Sequence, residues 1–275
     1  MGTSKSFKTP GGGAWTSPKR QLTNHITGKA PFDAQRFVRG AMRALGGVGM
    51  KPRVTSGGDG GYAPASRDGG GEARGGRGGS GRSSAGGAAL SGAVQRLGGF
   101  GAQVATGGLD AALGSLGLRD LRGRPAAEVV ARIAEHLSRG ATGKQAEVLE
   151  SALRDTIFDI AAVEGSGSYE DLETALQTFM DREGLEGFVV AFLSQYVFTA
   201  VWSYFENHAK SKADGGSDDA LASAVESACR SLISQELKDL RENQQFDQVD
   251  WFGNDGQRFA DRIVGQLQSN ICGLE

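Results

Sequence analysis

The sequence predicts an all-α protein: a C-terminal helical bundle domain preceded by a flexible, glycine-rich, basic N-terminal region with short helices. Three observations predict it. Apolar residues from Pro125 onward recur every three or four positions, the spacing that lines one face of a helix, and no two-residue alternation persists anywhere. Of 44 glycines, 32 precede residue 125 and 12 follow it. Charge divides at the same place: residues 1–124 hold 18 Lys and Arg against 6 Asp and Glu, and residues 125–275 hold 12 against 26, so a net charge of -2 hides a basic front and an acidic back. Ordering glycine costs the most backbone entropy, and the front has few aromatics to offset it. The core therefore belongs to the back.

Residues 1–14 are small, polar, basic and glycine-punctuated, which predicts a flexible tail. Residues 15–46 predict two short helices. Thr16 or Ser17 caps the first, Pro18 suits its opening position, Leu22 and Ile26 share a face, and Gly28 follows its end. Asp33 caps the second, with Phe37, Met42 and Leu45 as an apolar stripe, Arg36, Arg39 and Arg43 as a basic face, and Gly46-Gly47 as the stop. Helices of about three turns are marginal alone in water, so both need a partner surface. Residues 47–84 are low in complexity and predict a Gly/Arg-rich linker.

The helical domain is expected over residues 85–275. In its first part Leu90, Val94, Leu97, Phe100 and Val104 keep helical spacing while glycine and alanine fill the gaps, which predicts a thin helix packed closely on a neighbour. Pro125 opens a helix with Val129, Ile133 and Leu137 inward, and Thr142 opens one carrying Val148, Leu149, Leu153, Ile157 and Ile160. Ser168 begins a capping box in which Asp171 takes the place of the usual Glu. Residues 188–205 hold no charge, and Gln195, Thr199, Ser203 and Glu206 form one polar stripe along them. A transmembrane span needs about 20 apolar residues, but the stripe favours a buried central helix with one polar edge. Two more helices follow, one through Leu221, Val225, Cys229 and Leu232, the other through Phe259, Ile263 and Leu267.

Chemistry is sparse. Glycine lacks the collagen period, and Cys229 and Cys272 are too few for a disulfide framework or a four-ligand zinc site. They suit a reducing, cytoplasmic compartment, and the opening MGTSKSFKTPGGG has no apolar run to act as an export signal. His25, His136 and His208 stand far apart, each near a helix end. Residues 140–144, GATGK, lack P-loop spacing, and no GxSxG, HExxH or CxxC occurs. Asp155 and Asp159, one turn apart, form either an acid pair or an exposed acidic face. The expectation is a protein that is not an enzyme, with no cofactor and no metal.

Two segments of the front carry candidate function. Arg74, Arg77 and Arg82 on a glycine chain resemble an RGG segment, whose guanidinium groups follow phosphates without a shape requirement; the bland reading is a solubilising linker. Met1 to Ser6 fits the myristoylation pattern, which requires a eukaryotic host. Whichever applies, loss of Met1 would leave an unhindered glycine amine on a small-residue tail able to thread into another protein's active site.

The opening Met1-Gly2-Thr3-Ser4, the glycine-rich basic linker, the small-residue helix around residues 92–113 and the run Gly123-Arg124-Pro125-Ala126-Ala127-Glu128-Val129 resemble the QatB family of the bacterial Qat anti-phage defence system. The likeness covers most of the chain in layout, and MGTS and GRPAAEV are its specific motifs. It implies a cytoplasmic, non-enzymatic subunit beside an ATPase (QatA), a QueC-like enzyme (QatC) and a TatD-like nuclease (QatD), with no membrane partner. QueC enzymes turn a 7-carboxy-7-deazaguanine into a nitrile through an adenylated intermediate and an amide. Carried onto this chain, the likeness implies that a QueC-like partner passes the activated carboxyl to the Gly2 amine, with Thr3 and Ser4 as pocket contacts. The alternative is a nucleic-acid-binding adaptor acting through Arg74, Arg77 and Arg82.

Overall fold

Helix α6 (Tyr169–Lys210) is the axis of the molecule. The computed structural model describes residue 7 and residues 12–50, 85–161, 167–212, 219–243 and 246–273. Every α or β element among these is helical: α1 (Gly13–Ile26), α2 (Ala34–Ala44), α3 (Ala85–Ser115), α4 (Ala126–Leu137), α5 (Gly143–Ala161), α6, α7 (Asp219–Glu236), α8 (Lys238–Asn243) and α9 (Asn254–Cys272). The all-α expectation holds.

The start of α6 follows from its cap. The Ser168 side chain accepts from the Asp171 N–H, and the Asp171 carboxylate accepts from the Ser168 N–H, a reciprocal box that satisfies two orphan donors. The uncharged stretch of α6 is long and apolar enough to cross a membrane, but 78% of that window is buried among the other helices, as a core helix requires. Phe188, Phe192, Tyr196 and Phe205 are fully enclosed. The expected polar edge is corrected in part: Thr199 and Ser203 are buried, and the Ser203 hydroxyl donates to the Ala200 carbonyl of its own helix. A small hydroxyl can bond back to its own helix in this way and so enter a core.

Helices α3, α5 and α7 pack around α6, α4 packs on α5, and α9 packs on α3. Close approach of α3 depends on its missing side chains. A Cβ on Gly98 would stand 2.1 Å from Cε3 of Trp251, and one on Gly101 would stand 2.6 Å from Leu185. Both long helices bend at glycine, α3 at Gly108 (φ 76°) and α6 at Gly184 (φ 67°), so each consists of two helical pieces joined at a kink.

The partner surface that α1 and α2 need is the chain's own. Trp15, Leu22, Phe37, Val38 and Met42 are buried in one core with α6 and the C-terminal helices. Asp33 caps α2 as its sequence suggests, accepting from the Arg36 N–H. Two of the three arginines of the basic face of α2, Arg39 and Arg43, are spent on the end of α9, where the helix dipole is negative. Arg39 donates to the Asn270 carbonyl at 2.9 Å and pairs with Glu236 at 3.1 Å, and Arg43 donates to the Cys272 carbonyl at 3.0 Å. The expected start of α1 is corrected. It begins at Gly13 rather than at Thr16 or Ser17, with Pro18 inside it, because Trp15, Pro18 and Leu22 bury on one stripe and that stripe sets the helix.

Candidate functional site

The tail residues Gly2, Thr3 and Ser4 and the linker residues Arg74, Arg77 and Arg82 lie outside the described residues. The tail is instead legible at Phe7. Its N–H donates to the Ser203 carbonyl of α6 at 2.6 Å, and its ring stands 5.2 Å from that of Tyr204. Tyr204 also meets Trp15 at 5.5 Å, Trp15 meets Phe205 at 5.8 Å, and Phe205 meets Phe37 edge-on at 4.9 Å. Phe7 thus ends an aromatic ladder that runs from the core to the surface, and each such pair adds about 0.5–1.5 kcal/mol beyond area burial.

Lys144 closes the mooring from α5. A cation in the first turn of a helix opposes the dipole. Here its ammonium stands 4.8 Å from the Phe7 ring and 5.1 Å from the Tyr204 ring, where the ring quadrupoles attract it. One turn beyond Tyr204, the His208 Nε2 lies 3.0 Å from the Thr23 hydroxyl and ties α6 to α1. Burial first, then Lys19 and Lys212, hold the His208 imidazole below its ordinary value, so it is neutral at pH 7. The end of α6 is therefore a locally basic place in the acidic half of the chain.

A concavity of about 420 Å³ opens between α5, α6 and α7 near the Gly184 bend. Asp159, Glu183, Glu186, Glu226, Arg182 and Arg230 line it together with apolar side chains. Asp155 and Asp159 both have carboxyls pushed up. Burial is the main cause for each; Asp159 is raised further by Glu226 and Asp155 and lowered by Arg230, while Asp155 is held back by Arg154 and by hydrogen bonds to Ser151 and Gln195. Of the two aspartates only Asp159 lies in this lining, beside more carboxylates, two guanidinium groups and the hydroxyls of Thr156, Ser194 and Ser234, with no histidine or cysteine among the lining residues. His25 lies 5.2 Å from Phe32 and His136 is at the end of α4, so the three histidines do not share a site. Among the described residues no group of three His, Cys, Asp or Glu side chains could hold a metal ion. Cys229 and Cys272 are buried, and burial pushes both thiols up, Cys272 to about 11.

Fold and surface together define a helical protein whose most developed described feature is a moored peptide tail. The chain belongs to the QatB family: the family described as Qat anti-phage system associated protein QatB matches residues 78–269. That description places it in a Qat anti-phage system, with partners inside that system, and indicates no catalytic family. No curated protein and no solved structure matches the chain.

Proposed function

We propose that this chain is a non-enzymatic, cytoplasmic subunit of Qat defence that binds the QueC-like enzyme of the system (QatC) and presents Met1-Gly2-Thr3-Ser4 to it as a docking peptide or substrate. The observation that carries this reading is the mooring of Phe7 on Ser203 and Tyr204. A tail held at Phe7 and carrying the small residues Gly2, Thr3 and Ser4 near its end suits presentation in a narrow pocket. Gly2 stands five residues before Phe7, a span of at most about 18 Å at ~3.3–3.6 Å per residue.

As a substrate, the Gly2 amine freed by removal of Met1 attacks the carbonyl carbon of a 7-deazaguanine carboxyl that the partner has adenylated with ATP. A C–N amide bond forms, the C–O bond to AMP breaks, AMP leaves with the electron pair, and the ammonium proton passes to solvent or a base of the partner. The amine must come within about 3–3.5 Å of that carbon, which only an unhindered terminus achieves in a buried pocket. With a reference pKa of about 7.7–8.0, part of the α-amine population is neutral and nucleophilic at cellular pH. Thr3 and Ser4 supply hydroxyls for the pocket wall. QatA and QatD are the further partners within the system.

Intact mass of the chain co-expressed with its genomic neighbours tests the reading. The expected result is loss of Met1, a mass gain matching the deazaguanine acyl group, and co-purification of the QueC-like enzyme. An unmodified terminus together with no co-purification overturns it.

A further inference from the structure

We infer that the end of the molecule running from the moored Phe7 and Lys144 of α5 to His208 of α6, where Lys19 of α1 and Lys212 just beyond α6 add charge, is the docking face for the enzyme that receives the tail, and that the rim of this enzyme's pocket is anionic. The inference rests on the proposed presentation of the tail and adds the place and the charge of the contact.

Tether length supplies the place. Phe7 is held by its backbone at Ser203 and by its ring at Tyr204, so a pocket that takes Gly2 must open within about 18 Å of that point, the extended length of five residues. A folded enzyme cannot bring its active site so near without resting on the surrounding surface. That surface is the end of the molecule where α1, the start of α5 and the end of α6 meet: Lys144 lies over Tyr204, and Thr23 meets His208.

Charge supplies the chemistry. Residues 125–275 carry 12 Lys and Arg against 26 Asp and Glu, yet Lys144 stands over the Phe7 ring, Lys19 and Lys212 act on His208 one turn beyond Tyr204, and Lys5 and Lys8 flank Phe7 in sequence. On α6 the carboxylate of Glu206 is paired with Lys210. A basic patch in an otherwise acidic domain selects a partner with a negative rim and repels a positive one.

The test uses the full chain. First, the chain alone is digested with trypsin: Phe7→Ala is expected to speed cleavage after Lys5 and Lys8 about tenfold, since it removes the aromatic and cation–π contacts that hold the tail. Equal rates overturn the mooring and with it the placement of the partner. Second, the wild type and the double variant Lys144→Glu, Lys212→Glu are each co-expressed with the QueC-like enzyme. A glutamate in the first turn of α5 suits the helix dipole, which offsets the cation–π contacts that Lys144 loses, so the variant is expected to melt with the wild type. Its capture of the enzyme is expected to fall about tenfold, and wild-type capture to weaken as salt rises. Wild-type and variant captured and modified equally overturn this inference while the presentation of the tail stands. No capture and no modification of the wild type overturn the presentation itself, and the docking face with it.

Discussion

At the scale of single residues, the glycines of α3 do two different things, and substitution separates them from an ordinary helical glycine. Gly98 lies under the Trp251 ring, which cannot retreat: its indole N–H donates to the Phe246 carbonyl at 3.1 Å, and Phe246 and Phe259 pack against it. Gly98→Ala is expected to cost about 1–3 kcal/mol by overpacking. Gly265, exposed in α9 with nothing near its absent Cβ, makes the contrast: Gly265→Ala is expected to stabilise by about 0.5–1 kcal/mol through helix propensity. Chemical denaturation of both variants checks the opposite signs, and equal effects would deny that α3 is thin because Trp251 requires it. Asp159 gives the residue-scale pH dependence. Its carboxyl is raised on folding by burial, Glu226 and Asp155, so the folded state binds the proton more readily and the ionised form destabilises it. Asp159→Asn is therefore expected to stabilise the protein at pH 7 by about a few tenths of a kcal/mol, screening at the exposed site keeping it small. The gain should shrink as pH falls through the carboxylate range. A melting difference that grows toward low pH would contradict the cause given.

At the scale of elements, helix boundaries were legible wherever one side chain carries the signal. Asp33 and the pair Ser168 and Asp171 cap helices as their sequence context suggests, because a cap is a local bond. The start of α1 was not legible. Pro18 reads locally as an opening residue, but burial of Trp15 against Tyr204 and Phe205 extends the helix back past it, and that contact joins opposite ends of the chain. The Phe7 mooring was hidden for the same reason: a lone aromatic in a polar stretch has no period, and the carbonyl it finds belongs to α6. The bends of α3 and α6 were invisible too, since a glycine that kinks and a glycine that only packs look alike in sequence. Gly184 sits at φ 67°, ψ -176°, a region open essentially to glycine alone, with free space around it. Gly184→Ala is expected to cost about 1–3 kcal/mol by backbone strain alone. Thermal melting checks this, and an unchanged midpoint would mean that α6 straightens without penalty.

At the scale of the whole molecule, the family match and the core have different limits. The match begins at residue 78, after α1 and α2, whereas the core includes Trp15, Leu22, Phe37, Val38, Met42, Leu45 and Val48. The Val48 carbonyl also accepts from the buried Tyr196 hydroxyl at 2.6 Å, and the Val48 N–H donates to Gln268 of α9 at 2.9 Å. Full burial of a large apolar side chain contributes about 1.5–3 kcal/mol, so these seven residues together contribute at most about 10–20 kcal/mol. Net stability of a domain is about 5–15 kcal/mol. The matched segment by itself has therefore lost a share of its core comparable to its whole stability, and it leaves Phe205 and Tyr196 uncovered. A fragment of residues 78–269 is expected to unfold without a cooperative transition and to bind a hydrophobic dye, while the full chain melts cooperatively. If the fragment melted as the full chain does, α1 and α2 would be appendages, and the tail before them would hang from a separate unit. If it does not, Phe7 is held on a surface that α1 and α2 help to build, and the basic front and the acidic back are one folding unit.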